Sequence, residues 1–165
     1  MHREHPDARG AWQEEDGFTV LELMMVIMII GILIAVLAPV FLGATDRARD
    51  RALEVNLKTA LKAAQVVYTD KTDYTLATPA TLTSQTGALT YLAGNVAPTS
   101  SLAVSVLPVN ANQLVLSGYS KSGNCFYILD DEAGAGTRYA TLPGAGGCAA
   151  NGAPLPADVA WKPTW

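Results

Sequence analysis

Residues 14–41 read EEDGFTVLELMMVIMIIGILIAVLAPVF, and residues 46–70 continue as DRARDRALEVNLKTALKAAQVVYTD. No charged residue occurs from Leu23 to Thr45. A helix over those roughly twenty-three positions rises about 35 Å, enough to cross the hydrocarbon core of a bilayer. A secretory signal peptide has a shorter apolar core, a small-x-small cleavage site behind it and positive charge in front. Here the run is too long and its front, Glu14, Glu15 and Asp16, is acidic. No cysteine lies near it for lipid attachment, so a retained membrane helix is expected.

The helical pattern continues past Pro39. Ala48, Ala52, Val55, Ala60 and Ala64, with Leu53, Leu57, Leu61 and Val67, recur at steps of three and four, while Arg51, Glu54, Lys58 and Lys62 fall mostly on the other face. Joined to the span, this amphipathic half makes one helix from Phe18 to about Asp70, about 80 Å at 1.5 Å per residue. One small domain cannot bury such a rod. Its first half must lie in lipid or among other helices, and its second half can cover a sheet.

Glu22 stands four residues into the apolar stretch. Either it lies near the end of the span and reaches the headgroup region, or it waits for a cation supplied by another chain, since an intramembrane acid marks a functional site by default. Cleavage between Gly17 and Phe18 would create a suitable ammonium, four residues and one helical turn from Glu22.

At this point the chain resembles the type IV pilin and pseudopilin family: Gly17-Phe18-Thr19-Val20-Leu21-Glu22-Leu23, followed by Met24, Met25, Val26 and Ile27, looks like a prepilin processing site. The resemblance implies that a membrane-embedded peptidase cuts after Gly17 and methylates the new amino terminus at Phe18. It also implies that Glu22 serves methylation or filament assembly. Gly31 and Pro39 fall where the family has helix-weakening residues, between which hydrogen bonding can loosen inside a filament. Proline removes a donor and clashes with the preceding turn, and glycine lowers helix propensity by about 1 kcal/mol relative to alanine. The likeness covers residues 18–70 and only weakly the rest. The leader departs from the common pattern by ending in acids. Arg47, Arg49 and Arg51 behind the span outnumber Arg3 and Arg9 before it, and the positive-inside rule then predicts the orientation opposite to that of a pilin.

After Tyr68 the composition turns to Thr, Ser, Gly and Pro, and TDKTDYTLATPATLTSQTG reads as a connecting loop with at most short structure. Its hydroxyls are a place for O-linked sugar, with a solvated loop the stronger expectation. No Asn-x-Ser/Thr sequon occurs. Leu102–Val109, Gln113–Tyr119, Cys125–Leu129 and Thr137–Leu142 read as strands, the middle pair flanking SKSGN as a hairpin. Helix first and sheet second predict an α+β fold, a long helix packed on a small antiparallel sheet. The expected organisation is a leader at 1–17, a membrane or filament-core half-helix at 18–45, an amphipathic half at 46–70 and a sheet domain at 71–165.

Cys125 and Cys148 are the only cysteines, with no histidine nearby and no Cys-x-x-Cys spacing. A disulfide is therefore expected, tying the Gly-rich tail to the sheet and placing the domain outside the cytosol. Asp130, Asp131 and Glu132 form an acidic cluster that lacks EF-hand spacing, so a polar turn rather than a calcium loop is expected. Trp161 and Trp165 either anchor the tail or line a contact surface.

The formal charge is −4, and about −3 of it lies in the first seventeen residues, so the basic field that nucleic-acid binding needs is missing. No nucleophile with a base, metal-ligand cluster or phosphate loop is legible, so neither an enzyme nor a cofactor is expected. The resemblance implies a pilus subunit that polymerises with its own kind. Its partners would be a prepilin peptidase, an inner-membrane assembly platform with its motor, and membrane lipid before assembly. It implies a cytoplasmic-membrane precursor with its carboxy-terminal domain outside, and a cell-surface filament afterwards. The alternatives are a pseudopilin of a type II secretion or DNA-uptake system and, remotely, a membrane-tethered extracytoplasmic enzyme.

Overall fold

The computed structural model describes residues 17–144, 147–152 and 160–165. Apart from Gly17, the leader expected at 1–17 lies outside them. The chain divides into two units, one ending at Phe41 and the other Leu42–Trp165. Helix α1, Val20–Lys71, belongs to both. In the first unit its side chains from Val20 to Leu37 are apolar on every side apart from Glu22 and exposed, and among the described residues Val20–Leu37 is the one stretch long and apolar enough to cross a membrane.

In the second unit α1 lies on a five-stranded sheet of order β1-β2-β3-β4-β5, formed by Thr90–Ala93, Ala103–Asn110, Gln113–Tyr119, Asn124–Asp131 and Arg138–Pro143. The four strands read from the sequence are β2 to β5, and they pair antiparallel in sequence order. The sheet is mixed, however, because β1 adds to β2 in parallel, with Thr90 opposite Ala103. At four residues β1 is too short to show a period. Pro108 of β2 is tolerated because β1 ends opposite Val106, so no neighbour on that side needs its missing N–H. The connecting segment holds a 3-10 turn, Tyr74–Leu76, and a short helix α2, Pro79–Gln85, capped by Asp73 and Thr78 respectively. Its hydroxyls are engaged locally: Thr83 and Ser84 donate to carbonyls of α2, and Thr86 pairs with the Tyr91 hydroxyl.

Leu53, Leu57, Ala60, Leu61, Ala64 and Val67 of α1 pack on Val104, Val106, Leu114, Leu116, Phe126 and Ile128. Ala48, Ala52 and Val55, expected on the same face, are exposed instead. The stripe that meets the sheet begins at Leu53, and Val55 is turned about 200° away from it around the helix. Gly118 lets the helix approach, since a Cβ there would stand 2.6 Å from Leu53 Cδ1. The β3–β4 hairpin closes through Gly123 at φ 97°, a left-handed conformation that favours glycine. Helix α1 stops where Thr72 turns to φ 54° and donates its N–H to the Tyr68 carbonyl.

Residues 147–152 of the carboxy-terminal segment cover the other face of the sheet. Cys125 of β4 is bonded to Cys148, with their Cα atoms 5.3 Å apart. From there the segment crosses the strands in turn. Ser117 of β3 donates its hydroxyl to the Cys148 carbonyl, Ala150 N–H donates to Ser105 Oγ of β2, and Asn151 N–H reaches the Gly94 carbonyl just beyond β1. Lys162 then pairs with Tyr139 on the free edge of β5. Trp161 packs on the outer face, while Trp165 stacks against Phe126 and Tyr139 on the helix side. Both tryptophans thus anchor the tail, and the tail shields an edge open to unwanted strand pairing. Covered on two faces, β4 is buried from Cys125 to Asp131.

Asp130 and Asp131 are not part of a polar turn. They end β4, and Asp130 is only 2% exposed. Its carboxylate accepts hydrogen bonds from Tyr74 Oη at 2.5 Å, Thr137 Oγ1 at 2.6 Å and Gln65 Nε2 at 3.2 Å. The turn comes afterwards, where Gly134 and Gly136 donate to the Asp131 carbonyl. Burial first, then the hydrogen bond to Asp130, pushes the Tyr74 hydroxyl far above the ordinary tyrosine range.

Candidate functional site

Gly17 and Phe18 lie just before α1, and Phe18 is exposed. Thr19 is the residue before the first helical position, and Glu22 is the third residue of the helix. Their side chains form a reciprocal pair. Thr19 N–H and Thr19 Oγ1 both donate to Glu22 Oε2 at 2.9 Å, and Glu22 N–H donates to Thr19 Oγ1 at 3.2 Å. This is a capping box: it satisfies backbone donors that the first helical turn leaves open, and a carboxylate there also opposes the positive end of the helix dipole.

The box adds a role for Glu22 that neither sequence reading contained. The carboxylate has a local task in the single chain, and both donated bonds end on Oε2, which leaves Oε1 for a further donor. Thr19 was the overlooked member. Its signal was present as Thr-x-x-Glu before an apolar run, the ordinary sequence mark of a helix start. Around the box, Leu21, Met24, Met25, Ile27 and Met28 are all more than half exposed. This face has no covering among the described residues, and unbranched methionines adapt readily to a neighbour's surface.

Gly31 lies inside the same helix with open space around its Cα, and α1 runs without a break through Gly31 and Pro39. Cys125 and Cys148, joined as expected, belong to the second unit and hold its tail. Among the described residues no group of three or more His, Cys, Asp or Glu side chains converges on a metal position.

Residues 13–38 match the family model described as the prokaryotic N-terminal methylation motif. The chain thus carries a prepilin-type motif of the sort found across the type IV pilin and pseudopilin superfamily, on a helix of membrane length and beside an α+β domain. The match spans Gly17, Phe18 and Glu22 and most of the apolar stretch. Neither a curated protein nor a solved structure matches the chain. The motif is a non-catalytic one.

Proposed function

We propose that this chain is a structural subunit of a type IV pilus. The observation that carries the reading is the methylation motif at residues 13–38 on an apolar helix whose side chains from Val20 to Leu37 are covered by none of the described residues. In this reading the precursor sits in the cytoplasmic membrane with its carboxy-terminal domain outside. A prepilin peptidase cuts between Gly17 and Phe18 and methylates the Phe18 amine. The assembly platform and its motor then lift the subunit out of lipid into a growing filament.

Transfer from lipid to filament is favourable only if the helix finds equivalent apolar cover and its charges find partners. The face of Leu21, Met24, Met25, Ile27 and Met28 supplies the first requirement when identical helices pack together. For the second, the Phe18 ammonium of one subunit meets the Glu22 carboxylate of a neighbour. Thr19 holds that carboxylate at the helix end, so little side-chain freedom remains to be lost on pairing. In the packed filament Gly31 and Pro39 are where α1 loosens. The disulfide and tail harden the sheet domain that faces outward.

Intact mass and amino-terminal sequencing of protein from membranes and from sheared surface material test this directly. A chain beginning at methylated Phe18 and abundant in the sheared fraction is expected. An uncut chain in both fractions refutes the reading, and a processed chain confined to membranes points instead to a short pseudopilus.

A further inference from the structure

The three arginines after the apolar run conflict with the orientation of a pilin when they are merely counted, but they are not equivalent in the folded chain. Arg49 is neutralised by Asp46, with Nη1 2.9 Å from Oδ1. Asp50, which the sequence places between Arg47 and Arg51 as a ready counter-ion, is occupied elsewhere. Its Oδ1 accepts from Ser120 Oγ and Ser122 Oγ at 2.5 Å each and so holds the β3–β4 hairpin against the helix. Among the ion pairs of the described residues there is none between Arg51 and Glu54, one turn beyond. Arg47 and Arg51 are therefore exposed and, among the described residues, unpaired; they stand one turn apart and share a shallow cleft with the small residues Ala44 and Ala48. The charge-free run ends at Thr45, two residues before Arg47. A helix rise of 1.5 Å per residue puts Arg47 about 3 Å and Arg51 about 9 Å past its end. That is the depth of headgroups when the run fills the hydrocarbon.

We propose that Arg47 and Arg51 bind the phosphate of an anionic phospholipid in the leaflet adjoining the sheet domain. Planar guanidinium groups suit phosphate oxygens, and alanines at 44 and 48 leave the space a headgroup needs. The site holds the precursor at a fixed depth, and its contacts must break when the subunit leaves the membrane. The inference rests on the membrane reading of α1 and extends it by naming a lipid class.

The test uses the full chain reconstituted in phosphatidylcholine bilayers with 30% phosphatidylglycerol, and reads the association of spin-labelled phosphatidylglycerol relative to spin-labelled phosphatidylcholine. Each arginine near an anionic surface contributes about fivefold, so a preference of roughly 30-fold is the upper expectation for the pair, shrinking with added salt. The R47Q/R51Q variant should bring the ratio close to one. R47K/R51K should keep most of it, and D46N/R49Q, which removes an ion pair without changing net charge, should leave it intact. An unchanged preference in R47Q/R51Q overturns the site, as does the absence of any preference in a chain that resists alkaline extraction. A chain that alkaline extraction removes from the bilayer overturns the membrane reading and the site together.

Discussion

Replacing Tyr74 with phenylalanine keeps the ring in the core and removes one hydroxyl. Tyr74 is fully buried, and its hydroxyl is the closest of three donors to the buried Asp130 carboxylate. Gln65 and Thr137 remain in the variant. A hydrogen bond to a charged group contributes about 1.5–3 kcal/mol, so Tyr74→Phe should lower stability by about 2 kcal/mol at pH 8. At this domain size the corresponding fall in Tm is roughly 8 °C. The pH dependence has a definite sign. In the unfolded chain Tyr74 loses its proton near pH ~10, whereas in the folded chain burial and Asp130 retain it well above that. The stabilisation is therefore complete below about pH 10 and declines above it by up to about 1.4 kcal/mol per pH unit. Phenylalanine does not titrate, and the remaining tyrosines, including Tyr127, whose hydroxyl burial also pushes upward, cancel in the difference. The gap between wild type and variant should thus close near pH ~11.5. Denaturant unfolding of the full chain in detergent, followed by the fluorescence of Trp161 and Trp165, measures both quantities. A gap that persists unchanged to pH ~11.5 would refute the coupling of the Tyr74 proton to folding. A gap below about 0.5 kcal/mol at pH 8 would show that Gln65 and Thr137 alone satisfy Asp130.

Glutamine at position 22 can still complete a capping box but carries no charge, whereas alanine does neither. If charge pairing drives assembly, Glu22→Gln and Glu22→Ala should both abolish sheared filaments while leaving cleavage after Gly17 intact by mass. Filaments of normal yield from Glu22→Gln would assign the residue to capping alone. Changing Cys125 and Cys148 to serine opens a loop of sequence separation 23 and should cost about 3 kcal/mol in the chain-entropy model. The loss should be accompanied by protease access to the segment around Cys148, and full protection in the double variant would mean that the Ser117 and Ser105 contacts hold the segment alone.

The membrane-length helix, the processing motif, the hairpin around SKSGN and the α+β order were legible in the sequence because each is written in neighbouring residues. A charge-free run, a three-and-four periodicity and a turn glycine need no knowledge of the rest of the chain. Even the capping box was local, in Thr19 and Glu22. What the sequence left open depended on residues brought together from far apart. The parallel β1, the tail crossing the outer face and the choice between anchoring and contact for Trp161 and Trp165 are such cases. So is the acidic cluster, whose first member is buried because Tyr74, 56 residues earlier, reaches it. The arginines after the span show the reason most plainly. By sequence, Asp46 and Asp50 are equal counter-ions, but Ser120 and Ser122, 70 and 72 residues away, capture Asp50. Spacing along a helix tells which charges can meet, and only the tertiary contacts decide which of them are already taken.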